Sequence, residues 1–296
     1  MGKALKSYAV VAVVTVIVLV FGWFAGANSV DVLGVPALFA CAVLALAVNW
    51  LAFIPAAAAR SDKYYDSVGA LTYLSVTALA VYAALEATGS LDLRGWVIAA
   101  MVVIWCTRLG TFLYIRIKAK GGTDSRFEKI KTSPARFLVA WTLQALWVVL
   151  TASAALAAIT VTERADIGAF FWVGAAIWLL GIGIEAAADA QKSRFKADPA
   201  NKGKFIDVGL WNWSRHPNYF GEITLWTGIL VMAIPVLSGL SWLVVISPIF
   251  VALLLTKISG INLQEAQAKE RWGDDPAYQR YRAKTPALIP IPPALQ

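Results

Sequence analysis

Charge is scarce in this chain, and so are the residues that bind metals or staple small folds. Only 15% of its 296 residues are charged, whereas a soluble domain carries about a quarter. There is one histidine, His216, which excludes a multi-histidine zinc or di-iron site. The two cysteines, Cys41 and Cys106, both lie inside apolar runs, so no disulfide framework or metal-type spacing exists. No polar block is long enough to be a soluble domain. Repeats, low-complexity stretches and the alternating pattern of a β-barrel are missing as well.

What remains is apolar: 59% hydrophobic residues and a mean hydropathy of +0.66. Runs near the length of about 20 residues that spans a bilayer recur along the chain. Backbone groups in hydrocarbon must be satisfied within the segment, so these runs are expected to be helices. The expected fold class is an all-α, polytopic membrane bundle of eight spans, about 8–27, 33–59, 68–87, 95–117, 136–161, 167–188, 219–237 and 240–258. Lys3, Lys6 and Ala25-Gly-Ala27 mimic a signal peptide. The run between them is long for one, so it is read as the first membrane helix. Pro55 predicts a kink or early exit in the second span.

The net charge of +8 does not point to nucleic acid, because the basic residues sit between apolar spans. With both termini in the cytoplasm, nearly all Lys and Arg fall on that side, and the outer loops hold only Arg94 and Arg164. The expected localisation is a multi-pass protein of the bacterial inner membrane with cytoplasmic termini. The tail from Asn262 to Arg282 is polar with spaced apolar positions (Leu263, Trp272, Tyr278, Tyr281). It reads as a helix that folds back over a ligand.

Polar residues concentrate between Glu185 and Glu222. Glu185 and Asp189 are four apart and share a helix face. Placed at the end of the sixth span, they would oppose the helix dipole, so a ligand role is favoured over helix stability. The cations Lys192, Arg194, Lys196, Lys202 and Lys204 follow. Arg215-His216-Pro217-Asn218-Tyr219 then opens the seventh span, with Pro217 suited to a first helical turn and Glu222 one turn in. Arg108 lies inside the fourth span, where an unpaired cation is costly, and calls for an anionic partner. The loop Gly121-Gly-Thr-Asp124-Ser-Arg126-Phe127 adds glycines and a forked donor.

Ser214-Arg-His-Pro-Asn-Tyr-Phe-Gly-Glu222, preceded by Glu185-x-x-x-Asp189-x-Gln-Lys192, resembles the steroid 5-alpha-reductase C-terminal domain superfamily, most of all its bacterial branch of unknown function. The similarity runs from about Asp62 to Pro290. It takes in the Arg108 helix, the Asp124–Arg126 loop and the closing Tyr281-Arg-Ala-Lys-Thr-Pro-Ala-Leu-Ile-Pro290. The Arg-His-Pro-x-Tyr core is shared with isoprenylcysteine carboxyl methyltransferases and phospholipid methyltransferases. The resemblance implies two parts: membrane helices over 1–60 and a reductase-like membrane domain over 61–296. It implies an NADPH-dependent reductase of a carbon–carbon double bond conjugated to a carbonyl. The substrate would be a lipid or steroid-like molecule drawn from the bilayer.

Carried over by position, Glu185 and Asp189 would meet the adenosine or ribose. Arg108, Arg126, Lys192 and Arg194 would meet phosphates, and Asp124 is a further cofactor-binding candidate. Asn218 and Glu222 would hold the nicotinamide end, with Arg215, His216 and Tyr219 nearby, and Tyr281 is a further cofactor-binding candidate. Asp66 and Tyr65, then Tyr219 and Glu222, are the candidate catalytic groups. No metal is implied. An S-adenosylmethionine-dependent membrane methyltransferase is the alternative, although it offers no pyrophosphate to the many cations. A transporter would need more polar residues in the first three spans.

Overall fold

The computed structural model describes residues 2–119, 121 and 127–293. Helix α1 spans Lys3–Ala25, and a short antiparallel hairpin follows, β1 Asp31–Val32 and β2 Val35–Pro36. Then come α2 (Ala37–Ala58), α3 (Tyr65–Thr88), α4 (Leu93–Ala119), α5 (Pro134–Thr160), α6 (Ala169–Ala197) and α7 (Pro217–Ala233). Helices α8 (Ile246–Leu253), α9 (Ile261–Trp272) and α10 (Pro276–Lys284) complete the order. Among the described residues, eight helical stretches are long and apolar enough to cross a membrane. The protein is thus an all-α, multi-pass membrane protein, as its apolar runs require.

Three details differ from the sequence reading. The second span starts only at Ala37, because Leu33 and Gly34 both take positive φ (53° and 81°) and turn the chain into the hairpin. Helix α2 continues through Pro55 to Ala58 without an early exit. The last span is not one α-helix. Gly239–Val245 is a 3-10 segment, α8 follows, and Leu254–Ile258 winds as a π-turn.

The chain forms two compact units. The first comprises Met1–Phe171 and Met232–Ser247; the second comprises Trp172–Val231 and Pro248–Gln296. Within the first, α5 is the axis and touches α1, α2, α3 and α4. Its run Ala152-Ser-Ala-Ala155 and then Ala157-Ala158 is buried. Small side chains let helices approach closely, which matters in lipid because apolar surface gains little by leaving it.

Hydrogen bonds fix which ends of the first unit lie together. Val30 donates to the Thr160 carbonyl, Asn28 to Ser238, and Arg94, fully buried, to the carbonyls of Ala165 and Asp166. Arg164 pairs with Asp92 at 2.8 Å. The loops after α1, α3 and α5 therefore meet at one end. The loops after α2 and α4 meet elsewhere, where Lys131 pairs with buried Asp62 at 2.7 Å. This is the up-and-down threading that alternating spans demand. It also gives the two cations of the first end, Arg94 and Arg164, partners within the protein.

Candidate functional site

Within the second unit, α6 and α7 cross at backbone distance. A Cβ on Gly181 would stand 2.5 Å from the Leu225 nitrogen and 2.7 Å from the Gly221 oxygen. One on Gly221 would meet the Glu185 nitrogen at 2.6 Å, and one on Gly228 the Trp178 nitrogen at 2.6 Å. Three glycines thus set the crossing, and Gly221 sets the position of Glu185. In the sequence Gly221 looks like part of a ligand motif; here it serves helix contact.

The crossing buries acids. Glu185 is 2% exposed, Asp189 6% and Glu222 8%. Asn218 donates to Asp189 Oδ1 at 3.3 Å, joining the start of α7 to α6. The sequence reading put the acids at a helix end, but α6 runs on to Ala197. Glu185 and Asp189 are interior to it, and the dipole argument against them falls away. Arg194 and Lys196 occupy the last turn instead, where cations suit the dipole. Lys192 stacks over the Trp211 ring at 4.2 Å. Trp211 in turn donates to the Ala188 carbonyl and receives the Tyr281 hydroxyl on its own carbonyl.

The Arg-His-Pro run is held from the C-terminal side. Arg215 donates through Nε to Glu265 at 2.8 Å and through Nη1 to the carbonyls of Arg282 and Thr285. Its backbone N–H meets Pro286, and the Ser214 hydroxyl meets the Leu288 carbonyl. Helix α7 starts at Pro217, as the missing N–H of proline favours. His216, just before it and outside the membrane-spanning segments, is 5% exposed and stacks on Tyr219 with rings 10° apart. Its Nε2 lies 3.3 Å from Glu265, so in the neutral ring Nε2–H donates and Nδ1 keeps a lone pair. Nδ1 is buried with no hydrogen-bond partner among the described residues. Burial lowers the pKa of His216, against a smaller pull upward from Glu265, and so favours that neutral ring. Tyr219 receives a hydrogen bond from Gln264.

The tail packs as an aromatic cluster of Phe205, Trp272, Tyr278 and Tyr281, with Phe205 and Tyr281 stacked at 5.3 Å. Burial raises the Tyr281 pKa, so its hydroxyl stays a donor. Leu263 does not join and is exposed.

Glu185, Asp189, Lys192, Arg194, Arg215, His216, Asn218, Tyr219, Glu222 and Tyr281 thus all belong to the second unit. Arg108, Tyr65 and Asp66 belong to the first. Arg108 is half-buried in α4 and Asp66 half-buried in the first turn of α3. Tyr65 packs against Phe127 and Trp141, and its hydroxyl donates to the Ala140 carbonyl. Asp124 and Arg126 lie outside the described residues. The sequence reading missed Glu265, which binds Arg215, His216 and Arg282 (Nε at 3.2 Å) together. Its only signal was a carboxylate on the charged tail, soon after the last apolar run.

A dinucleotide asks for acceptors toward ribose hydroxyls and carboxamide N–H groups, and for cations toward phosphates. The buried acids, His216 Nδ1, and Lys192 and Arg194 are groups of those kinds. The residues fit such a cofactor. No group of three metal-ligating side chains is present among the described residues.

A family model described as a protein of unknown function, DUF1295, matches residues 52–285. An uncharacterized protein of Schizosaccharomyces pombe is 25% identical over 227 residues, which cover 67% of this chain and 63% of that protein. The chain therefore spans under two thirds of that relative's length. No solved structure matches.

Proposed function

The chain belongs to the DUF1295 family, and from that premise we propose that it is a membrane-embedded, NADPH-dependent reductase of a carbon–carbon double bond in a lipid or steroid-like enone or enoyl substrate. One observation carries the reading: three carboxylates over nine-tenths buried on two helices long enough to span a bilayer, in the same unit as a buried histidine nitrogen that has no partner among the described residues. Ionisable side chains buried in such segments are rare and costly, and they mark functional sites. The motif resemblance to steroid 5-alpha-reductases supplies the chemistry.

NADPH, when bound, would supply the hydride. Glu185 and Asp189 would accept from the adenosine half, and Lys192 and Arg194 would balance phosphate charge. Asn218 and Glu222 share one face of α7 and would orient the nicotinamide end. His216 offers Nδ1 as an acceptor. Tyr219, already bonded to Gln264, is the candidate proton donor of this unit; the Tyr65 hydroxyl is committed to a backbone carbonyl within an aromatic cluster. The same reading places the termini and the cofactor segments in the cytoplasm, following the excess of Lys and Arg there.

The test is the melting temperature of detergent-solubilised protein with NADPH and with S-adenosylmethionine, followed by single-turnover oxidation of NADPH with enone and enoyl lipids. Stabilisation by NADPH and its oxidation are expected. Stabilisation by S-adenosylmethionine alone would hand the site to methyl transfer.

A further inference from the structure

The tail carries a groove that shares Arg215 with the candidate cofactor site and is otherwise lined by residues outside it. This groove, of about 590 Å³, opens between α9 and α10, within the range of about 300–1,000 Å³ usual for small-molecule sites. Lys269 of α9 and Gly273, which caps that helix, line one side. Tyr278, Gln279, Arg282 and Ala283 line it from one face of α10, and Arg215 closes it. Three of these residues are cations and none is a carboxylate. The nearest bonded acid, Glu265, is already shared by Arg215, Arg282 and His216. Of the three lining cations, Arg215 and Arg282 share that one carboxylate, and Lys269 is not among its partners.

The walls are fixed before any ligand arrives. Gln279 donates to the Gly273 carbonyl and holds the turn between the helices. Asp275 caps α10 by accepting from the Ala277 N–H. Tyr278 is 5% exposed and wedged among Phe205, Trp272 and Tyr281. Burial, and then the Glu265 charge, raise the Tyr278 pKa, so its hydroxyl remains a hydrogen-bond donor. Lys269 and Arg282 are both exposed, so their charged ends can reach a ligand entering from water. Two forked guanidinium groups, a point-charge ammonium and a phenolic O–H in one lining fit a group with two charges and several acceptor oxygens.

We propose that the groove between α9 and α10 binds a phosphomonoester dianion. The assignment does not depend on the reductase reading. Two sources share this chemistry: the ribose phosphate of a nucleotide such as NADPH, and the head group of a phosphatidate lipid.

The experiment uses the full chain in detergent, at mildly alkaline pH where inorganic phosphate is dianionic. Phosphate is titrated against chloride at matched ionic strength, and melting temperature is read. A saturable rise is expected in wild type. The double variant Lys269→Gln/Arg282→Gln should bind phosphate at least roughly tenfold more weakly, the loss of a charge-assisted contact. The charge-keeping Lys269→Arg/Arg282→Lys variant should recover binding, which separates lost charge from lost folding. A wild-type response equal to that of chloride overturns the proposal, as does undiminished phosphate affinity in the folded double variant. A variant that weakens NADPH but spares NADH assigns the groove to the nucleotide phosphate. One that weakens phosphatidate micelles, with phosphatidylcholine micelles as reference, assigns it to the lipid. Phosphate binding by a wild type that responds to neither nucleotide sinks the reductase reading and leaves the groove standing.

Discussion

Two glycines two residues apart in α6 should respond to the same substitution with opposite sign. In Gly181→Ala the new methyl meets the Leu225 nitrogen at 2.5 Å, the Gly221 oxygen at 2.7 Å and the Leu225 Cα at 2.9 Å. All three are backbone atoms of α7, so no rotamer change relieves the clash. Overpacking costs about 1–3 kcal/mol, and a backbone clash belongs at the upper end. Replacing glycine in a helix returns about 1 kcal/mol. The net expectation is a loss of about 2 kcal/mol, reached by prising α7 from α6. In Gly183→Ala the methyl meets nothing within 4 Å, so only the gain of about 1 kcal/mol remains. The two variants should melt roughly 5–10 °C apart, at a few degrees per kcal/mol for chains of this size. Gly181 lies one turn from Glu185, so its variant should also lose affinity for any ligand of the buried acids, and Gly183→Ala should not. Thermal unfolding in one detergent, together with cofactor titration, measures both. A Gly181→Ala protein as stable as Gly183→Ala would refute the close crossing and the placement of Glu185 that follows from it.

Glu222→Gln keeps the size of the side chain but loses the charged acceptor. Single-turnover hydride transfer should fall roughly 10- to 1000-fold through misorientation while cofactor binding by the adenosine half survives; unchanged turnover would make Glu222 structural. Glu265→Ala leaves Arg215 and His216 without their shared acceptor and should cost about 1.5–3 kcal/mol, seen as a lower melting temperature, with Glu265→Gln intermediate. Burial holds the folded pKa of His216 below its ordinary 6.5. Its contribution to stability is therefore complete above pH 6.5 and is lost as pH falls toward the folded value, because the unfolded chain takes up the proton first. Melting temperature against pH in wild type and His216→Asn checks this, and identical profiles would contradict it. For orientation, Asn201→Cys should label from the cytoplasmic side and Leu33→Cys from outside, with little background because Cys41 and Cys106 are buried.

The sequence by itself determined the class of fold and the number of spans. A run of about 20 apolar residues has one stable solution in lipid, an internally bonded helix, so counting runs counts helices. Its motifs also named ten residues that the second unit holds in common, because helical spacing puts Glu185 with Asp189 and Asn218 with Glu222 on shared faces.

Local pattern failed where a contact from afar took over. Gly34 suits a tight turn, but nothing marks the apolar Leu33 beside it for the positive φ that the hairpin demands. The polar stretch after 188 hid nine further helical residues of α6, since exposed charged residues continue a helix as readily as apolar ones. Only the tertiary structure decided that Gly181, Gly221 and Gly228 serve helix contact and that Tyr65 spends its hydroxyl on Ala140. The same holds for Glu265, fifty residues from Arg215, which ties the Arg-His-Pro run to the tail. The reason is physical. Burial and hydrogen-bond partners are properties of neighbours in space, and a helix face read from spacing says which residues travel together but not what they meet.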